Sequence, residues 1–486
     1  MNRHYDVIIV GSGVAGLAAA EILSRHNRSI LVVDENFHIG GQLLRQPPSS
    51  SQEGRGLVLD GIKRWGHRFL KRLPDGNVRV LNGAQALGIF PGFVLLAQDA
   101  DGQVVEYQAN TLILATGTRE RFLPFAGWTL PGVMSTGAAQ ILMKSHRVLP
   151  GSNIVVGGCT PLMLVLAADI LANQGKVRAV LDQSRPFQKA KLLGAASILW
   201  PKLIEGVACL IPLIKARTML RQGMRIVEAH GSNALETVVA AEVDANGRII
   251  QGTERSYAAD TLAVGHGFAP NIELPQQAGC DIGFDIGKGG WYAKVDQYMA
   301  TTTQGIYAAG ETTGVAGSGK AFIEGRIAAW SILGNLEDIS RKTFTKNVQP
   351  LIQLRERHVH YGRLLNHLCH PPPGAFEDIP EETIVCRCED ITIGDIKRNV
   401  AKGLTTVKGI KKATRCGMGN CQGRICGPIL FDFLSTCIQQ SPDVTGCLRA
   451  RAPVKTVALG SLSTMSRIRA NTKKPSSGNP TAGVRS

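Results

Sequence analysis

Five of the eleven cysteines in this 486-residue chain fall between Cys386 and Cys426. Cys386 and Cys388 read C-x-C, and 32 residues separate Cys388 from Cys421, which with Cys426 reads C-x4-C. Four thiolates arranged two and two suit a [2Fe–2S] cluster or a tetrahedral zinc. Gly417, Gly419, Gly423 and Gly427 surround the second pair. Bare backbone there can aim N–H groups at sulfur, which raises the potential of a cluster. Cys416 is a fifth nearby thiol. Cys421 and Cys426 are preferred as ligands because they sit symmetrically within GMGNCQGRIC. Between the pairs, Thr392 and Asp395 have the spacing of a capping box, and Gly403 can end the helix they start.

The second chemical signal is at the start. Tyr5–Gly16 reads YDVIIVGSGVAG, with Gly11, Gly13 and Gly16 in G-x-G-x-x-G spacing. The apolar run before it predicts a buried strand, and the Ala- and Leu-rich run after it predicts a helix. A second strand, Ile30–Val33, ends on Asp34, with Glu35 beside it. This strand–turn–helix–strand unit is a dinucleotide site. Gly11 permits the tight turn, Gly13 lets backbone approach a pyrophosphate, and Gly16 lets helix pack on strand. Ala15 lies at the helix N-terminus that faces the phosphates, and Asp34 can accept from a ribose hydroxyl. Gly40, Gly41 and Gln42 follow, a backbone that can pass close under a flavin nucleotide. Gln46–Arg55 is Pro/Ser-rich and reads as loop.

The elements that position these groups follow in order. Thr111–Gly117 (TLILATG) reads as a buried strand ending in the turn Ala115-Thr116-Gly117, where two-domain flavoproteins leave the FAD domain. Arg121–Gln140 reads as a crossover. Asn153–Asp182 repeats the opening plan, but its loop, Gly157-Gly158-Cys159-Thr160-Pro161, has Thr160 where a glycine is expected. A side chain there blocks the closest approach of backbone to phosphate, so weak or no NAD(P) binding is expected. Lys189–Leu220 reads as helices packed on the second domain. Its less favoured reading is a docking surface. Asp260–Leu274 closes that domain. Gly305–Glu311 (GIYAAGE) returns to the first, with Gly310 and Glu311 at the end of a strand and a helix over Gly317–Trp330. Glu311 can hold a ribityl hydroxyl while the helix N-terminus faces the flavin pyrimidine edge.

Leu336–Glu382 reads as a linker with solvated helix. Its His358, His360, His367, Cys369 and His370 lack paired ligand spacing. The expected domains are 1–140 with 275–340 (FAD), 141–274 (second Rossmann-like), 341–380 (linker), 381–447 (cluster) and 448–486 (disordered basic tail). The fold class is α/β throughout the two nucleotide domains.

Composition narrows the alternatives. The net charge is +16, but eight Lys/Arg and no acid lie after Leu448. No basic stripe with interleaved aromatics accompanies this charge, which argues against nucleic acid. No run of 18 apolar residues exists and no secretory leader is convincing, so a cytoplasmic location is expected, with membrane association only through an electron acceptor. A thiol cluster outside any disulfide framework fits a reducing compartment. No Cys-x-x-Cys or Cys-x4-Cys lies in the first two domains, which argues against thiol-based disulfide reduction. No catalytic base stands out; His266 in GHGF is a candidate, with a structural role equally open.

With these motifs in place, the chain resembles a family of bacterial flavoproteins. Members have two Rossmann-like domains and a C-terminal bacterioferritin-associated-ferredoxin-like (BFD-like) [2Fe–2S] domain. The family includes the A subunits of opine oxidases, the B subunit of hydrogen cyanide synthase and the alpha subunits of D-hydroxyproline and dye-linked proline dehydrogenases. DVIIVGSGVAGLAAA, VVDENFHIGGQ, LILATGTRER, PFAGWTLPGVMSTGAAQ, YAAGETTGVAGSGKAFIEGRIA, IVCRCEDIT and TRCGMGNCQGRIC carry the likeness from Asp6 to Cys426.

The resemblance implies FAD and a [2Fe–2S] cluster on Cys386, Cys388, Cys421 and Cys426. Cys416 stands where relatives tend to have a small non-thiol residue. It further implies a heteromer with a second, amino acid oxidase-like FAD subunit, with or without a small ferredoxin-like subunit. That partner would oxidise a C–N bond. Octopine would give arginine and pyruvate; nopaline would give arginine and 2-oxoglutarate. The alternatives are the alpha subunit of an enzyme for hydroxyproline or glycine, a self-sufficient NAD(P)H-dependent flavin reductase, and a non-enzymatic iron–sulfur scaffold.

Overall fold

The computed structural model describes residues 3–45, 61–71, 76–185 and 196–463, without the side chains of 196–203 and 205. The loop expected at Gln46–Arg55 and the end of the tail lie outside the described residues.

The first domain is built on β1 (His4–Val10), β2 (Ile30–Val33), β3 (Val78–Leu81), β4 (Gln85–Phe90), β5 (Val94–Gln98) and β6 (Val104–Leu114). Their order is β3-β2-β1-β6-β5-β4, parallel as far as β6 and antiparallel beyond it. Val7 pairs with Ile30 and with Thr111, so β1 is central and its residues from Val7 to Val10 are buried. A near-continuous apolar strand is what a parallel sheet covered on both faces requires. Helix α1 (Val14–Ser24) packs behind it.

The second domain has a five-stranded sheet of Met219–Gln222, Val177–Asp182, Ile154–Gly158, Thr261–Gly265 and Val133–Ser135, in that order. Its edge strand Val133–Ser135 pairs with Thr261–Gly265 and lies before residue 141, where the second domain is expected to begin. Helix α2 (Leu162–Ala172) follows the second glycine loop. Helix α3 (Ala196–Lys215) packs against this domain through buried Leu213 and exposes Ile204, Val207, Ile211 and Ile214. Of the stretch Lys189–Leu220, the part from 189 to 195 lies outside the described residues.

The chain returns to β6 through the short parallel strand Ile306–Ala308. Helix α4 (Ser318–Asn335) then crosses α1. The segment read as a linker with solvated helix is largely one helix, α5 (Arg341–Cys369), and it lies packed on α4. Val348, Ile352, Gly362, Asn366 and Cys369 are buried along it. That helical spacing of small and apolar groups is what docks it. Asn366 donates to the carbonyls of Gly287 and Val315 at 2.9 and 2.8 Å, which fastens its far end.

The cluster domain contains α6 (Ile393–Ala401), α7 (Val407–Thr414) and α8 (Cys426–Ile438). The capping box is present: Thr392 accepts from the Asp395 N–H and Asp395 accepts from the Thr392 N–H at 2.9 Å. Leu123, Phe125 and Trp128 of the crossover share one core with Ile429, Leu430 and Phe433 of α8. The cluster domain is therefore packed on the nucleotide domains and does not hang from a tether.

The tail is not disordered over its described part. Leu448 lies against the glycines at 417, 423 and 427. The Val454 N–H donates to the Leu87 carbonyl at 2.8 Å, and Val457 and Leu462 cover Leu87 and Leu96. Apolar residues spaced among the basic ones find grooves on the first domain. Among the described residues no helix is long and apolar enough to cross a membrane.

Candidate flavin and cluster sites

Gly11, Asp34, the Ala115–Gly117 turn and Gly310 all lie at the carboxyl ends of parallel strands, where open α/β sheets bind nucleotides. The Gly11 N–H donates to the Val33 carbonyl and the Ala115 N–H to the Val10 carbonyl, both at 2.8 Å. Gly11 has φ +105°, and a Cβ there would stand 2.2 Å from the Ala115 oxygen. Gly13 has open space where its Cβ would be, so its backbone is bare to a ligand. This cradle fits a pyrophosphate.

Asp34 is more heavily engaged than its spacing implied. One oxygen accepts from the Ser12 N–H and hydroxyl at 2.6 Å each, and the other from the Asn36 N–H and side-chain amide at 2.8 Å each. Those four donors fill a carboxylate's usual complement. A ribose hydroxyl would have to share with or displace one of them. Ser12, fully buried, also accepts from the Gly40 N–H at 3.0 Å through its carbonyl. It thereby joins the loop, the acid and the Gly40–Gly41 turn. Sequence alone did not single it out, although the serine within G-S-G was its signal. Glu35 points the other way and pairs with Lys455 of the tail. Gln42 is exposed and accepts from Arg45.

Thr116 and Gly117 are tied to the returning chain by Asn271, which sequence alone also missed. Its side-chain amide donates to the Thr116 carbonyl at 2.7 Å and its backbone N–H to the Gly117 carbonyl at 2.9 Å. Glu311 accepts the N–H groups of Ala316 and Gly317 at 3.2 and 2.8 Å, at the start of α4. Burial pushes its carboxyl above the usual carboxylate range. The turn before it is set by a network that no motif announced. Lys320 Nζ donates to the carbonyls of Gly310 and Gly314, the Thr313 hydroxyl and Glu324, all at 2.7–2.8 Å. Glu324 also accepts from the Gly310 N–H at 2.9 Å and from Arg355 at 2.7 Å. The i,i+4 spacing of Lys320 and Glu324 was the available signal.

At the second glycine loop, Cys159 and Thr160 are buried. The Cys159 thiol donates to the Cys369 carbonyl and the Cys369 thiol to the Cys159 carbonyl, each at 2.8 Å. The end of α5 therefore lies over the loop. His266 is 3% exposed, and burial pushes its pKa down to about 3. A general base must reach the proton it takes, and this imidazole is closed off from solvent.

Five thiols of the cluster domain, Cys386, Cys388, Cys416, Cys421 and Cys426, converge. The Sγ atoms of Cys386, Cys416 and Cys426, all buried, lie within 4.8 Å of one another; among the described residues this is the group of potential metal ligands. Cys421, half-buried, is in side-chain hydrogen-bond contact with Cys426 and with the exposed Cys388. Thiols donating from Cys416 and Cys426 hold Cys386 far below the ordinary thiol range. The Cys426 thiol brings Cys421 down to about 5. The same contacts push the donating Cys426 and Cys416 thiols up, so the negative charge gathers on Cys386 and Cys421, and the thiolate is the metal-binding form. The Gly417 N–H points at Cys386, and those of Gly423 and Ile425 at Cys421. Soft ligands with backbone donors aimed at sulfur fit an iron–sulfur cluster. A cavity of about 570 Å³ lies between this loop and the first domain, lined by Arg119, Trp291, Met418, Gln422, Phe431 and Leu448.

Residues 5–331 match the pyridine nucleotide-disulphide oxidoreductase family, and residues 384–434 match the BFD-like [2Fe–2S] binding domain. The chain is similar to the A subunit of opine oxidase from Agrobacterium tumefaciens, 31% identical over 95% of this chain and 92% of that protein. It is likewise similar to hydrogen cyanide synthase subunit HcnB of Pseudomonas aeruginosa, 32% identical over 92% of this chain and 96% of that protein. In fold it resembles the L-proline dehydrogenase of P. horikoshii, with a TM-score of 0.68 at 21% identity, covering 94% of this chain and 79% of that one.

The cofactors are FAD and a [2Fe–2S] cluster. This chain is a flavin-dependent oxidoreductase component belonging to the pyridine nucleotide-disulphide oxidoreductase family, in the branch that carries a BFD-like domain and includes opine oxidase A subunits and HcnB.

Proposed function

We propose that this chain is the electron-relaying subunit of a heteromeric oxidase for CH–NH donors, with opines as the favoured substrate class. The reading rests most on one observation. The cluster domain is packed directly on the flavin domain's crossover, with Arg121 and Asp432 forming a buried ion pair across that contact. A cluster domain fixed against the crossover that leaves the flavin domain, and not tethered, supports a reading of internal electron transfer.

In the overall reaction an opine and one water give an amino acid, a 2-oxo acid, two protons and two electrons. A partner subunit resembling amino acid oxidases removes the electrons from the carbon beside the secondary amine, and water hydrolyses the resulting imine. When bound here, FAD supplies two-electron chemistry and the cluster one-electron chemistry. Residues of this chain do the holding. The Gly11–Gly16 loop would take the pyrophosphate, with Asp34 and Ser12 fixing its shape. Glu311 would hold a ribityl hydroxyl, and the start of α4 would face the flavin ring. Cys386, Cys388, Cys421 and Cys426 would ligate iron.

The second domain is read as retaining its fold without taking NAD(P)H, because Cys159, Thr160 and the end of α5 occupy its loop. The test is an anaerobic spectrum of the isolated chain with iron and sulfide counts, then octopine and nopaline assays with and without a co-expressed partner. Opine-dependent bleaching only in the complex supports the reading. Bleaching by NADPH alone would move the function to a self-sufficient reductase.

A further inference from the structure

A [2Fe–2S] cluster takes four thiolates, and this domain brings together five. Their sulfurs form a continuous series. Cys416 touches Cys386 and Cys426, Cys426 touches Cys421, and Cys421 touches Cys388. Among the four-thiol sets within it, two differ only in the residue that completes them. Both contain Cys386, Cys421 and Cys426; one is completed by Cys388 and the other by Cys416.

The two completing residues sit very differently. Cys388 is exposed, on the turn after the strand Ile384–Cys386. Cys416 is 0% exposed and is held from both sides. Arg415 before it ends α7 at φ +65°, Gly417 after it has φ +84°, and its own N–H donates to the Thr414 hydroxyl at 3.2 Å. Two thiolates on one tetrahedral ion at about 2.3 Å lie about 3.8 Å apart. Cys416 already lies within 4.8 Å of Cys386 and Cys426, at most about 1 Å beyond that spacing.

Given a cluster in this domain, we infer that Cys416 is a reserve ligand that replaces Cys388. In the exchange an iron–sulfur bond to Cys388 breaks and one to Cys416 forms. The Cys416 thiol gives up its proton and the departing Cys388 thiolate takes one up. Nothing is oxidised or reduced, and the charge on the cluster and its ligands is unchanged. The consequence is a cluster that survives loss of its one exposed ligand to alkylation or oxidation.

The experiment compares wild type, Cys388→Ser, Cys416→Ser and the double variant by iron and acid-labile sulfide per chain, visible absorbance and electron paramagnetic resonance. Both single variants are expected to keep about two irons and two sulfides, Cys388→Ser with shifted resonances, and the double variant to lose them. An iron-free Cys388→Ser protein that still holds flavin, or a double variant that keeps its cluster, would overturn the inference. Should Cys388→Ser fail to fold, seen as lost flavin, the native holoprotein decides. It is treated with iodoacetamide and Cys388 is followed by peptide mass spectrometry. Iron retained after carbamidomethylation of Cys388 supports the exchange; iron lost in step with it overturns the exchange. Wild type without iron would instead refute the cluster reading itself, before any variant is compared.

Discussion

The guanidinium of Arg121 meets the carboxylate of Asp432 in the interior, with side chains 2% and 4% exposed. Arg121 belongs to the crossover that leaves the flavin domain, and Asp432 to the helix that begins at Cys426. Arg121 also donates to the Gly289 carbonyl at 2.9 Å, so three segments meet at one cation. Buried charge is costly unless paired, and removing one partner leaves the other uncompensated. Arg121→Leu or Asp432→Leu is therefore expected to cost about 3–5 kcal/mol of stability. Arg121→Met combined with Asp432→Leu should recover much of that loss. Urea denaturation followed by flavin fluorescence measures both.

The flavin loop is expected to depend on Asp34 through Ser12. Asp34→Ala frees four donors around the glycine turn. Losing charge-assisted bonds of this kind costs about 1.5–3 kcal/mol each, so FAD affinity should fall by at least tenfold. Ser12→Ala keeps the backbone donor and should lose less. Fluorescence titration of apoprotein with FAD gives the two constants; equal affinities in Asp34→Ala and wild type would show the network is incidental.

Lys320→Met should release the turn that presents Glu311. It removes the cation that joins Gly310, Thr313, Gly314 and Glu324, and it leaves Glu324 with Arg355 as its remaining charged partner. An expected loss of about 3–5 kcal/mol follows from breaking a buried pair. The measurement is the temperature of flavin release compared with that of global unfolding. Unchanged flavin release would remove Lys320 from the site's support.

NADH and NADPH are expected to leave the flavin oxidised. Cys159 and Cys369 hold the end of α5 over the second glycine loop. Anaerobic titration with each nucleotide tests this, and rapid bleaching by either would show that the loop is open to a dinucleotide.

Cys421→Ser and Cys426→Ser should each abolish the cluster's visible absorbance, because both belong to the ligand set completed by Cys388 and to the one completed by Cys416. Full absorbance in one of them would move the ligand set elsewhere.

The start of α6 carries a pH signature. The Asp395 carboxylate accepts the Thr392 N–H, which lowers its pKa from the ordinary value. A lowered carboxyl contributes stability above its unfolded pKa of about 3.9 and loses it as pH falls through the folded value. Asp395→Asn should thus be less stable than wild type near neutrality, with the difference closing below about pH 4. Parallel thermal melts across that range would show it, and a constant gap would mean the cap is not ionic.

Much of this protein is determined locally. The glycine loop at Gly11–Gly16, the capping box at Thr392–Asp395 and the C-x-C and C-x4-C pairs depend on residues near one another in the chain. Backbone freedom, apolar periodicity and ligand spacing are properties of such short stretches. Tertiary structure alone decided what joined them. Asp34 proved to be filled by Ser12 and Asn36, because β1 and β2 lie side by side. The stretch that read as linker became a packed helix because its buried residues meet α4 and the second glycine loop. Cys416 entered the thiol group because α7 ends in a left-handed residue beside a positive-φ glycine, which turns its side chain inward. Contacts between distant segments depend on how the layers pack, and no spacing rule within one segment encodes that.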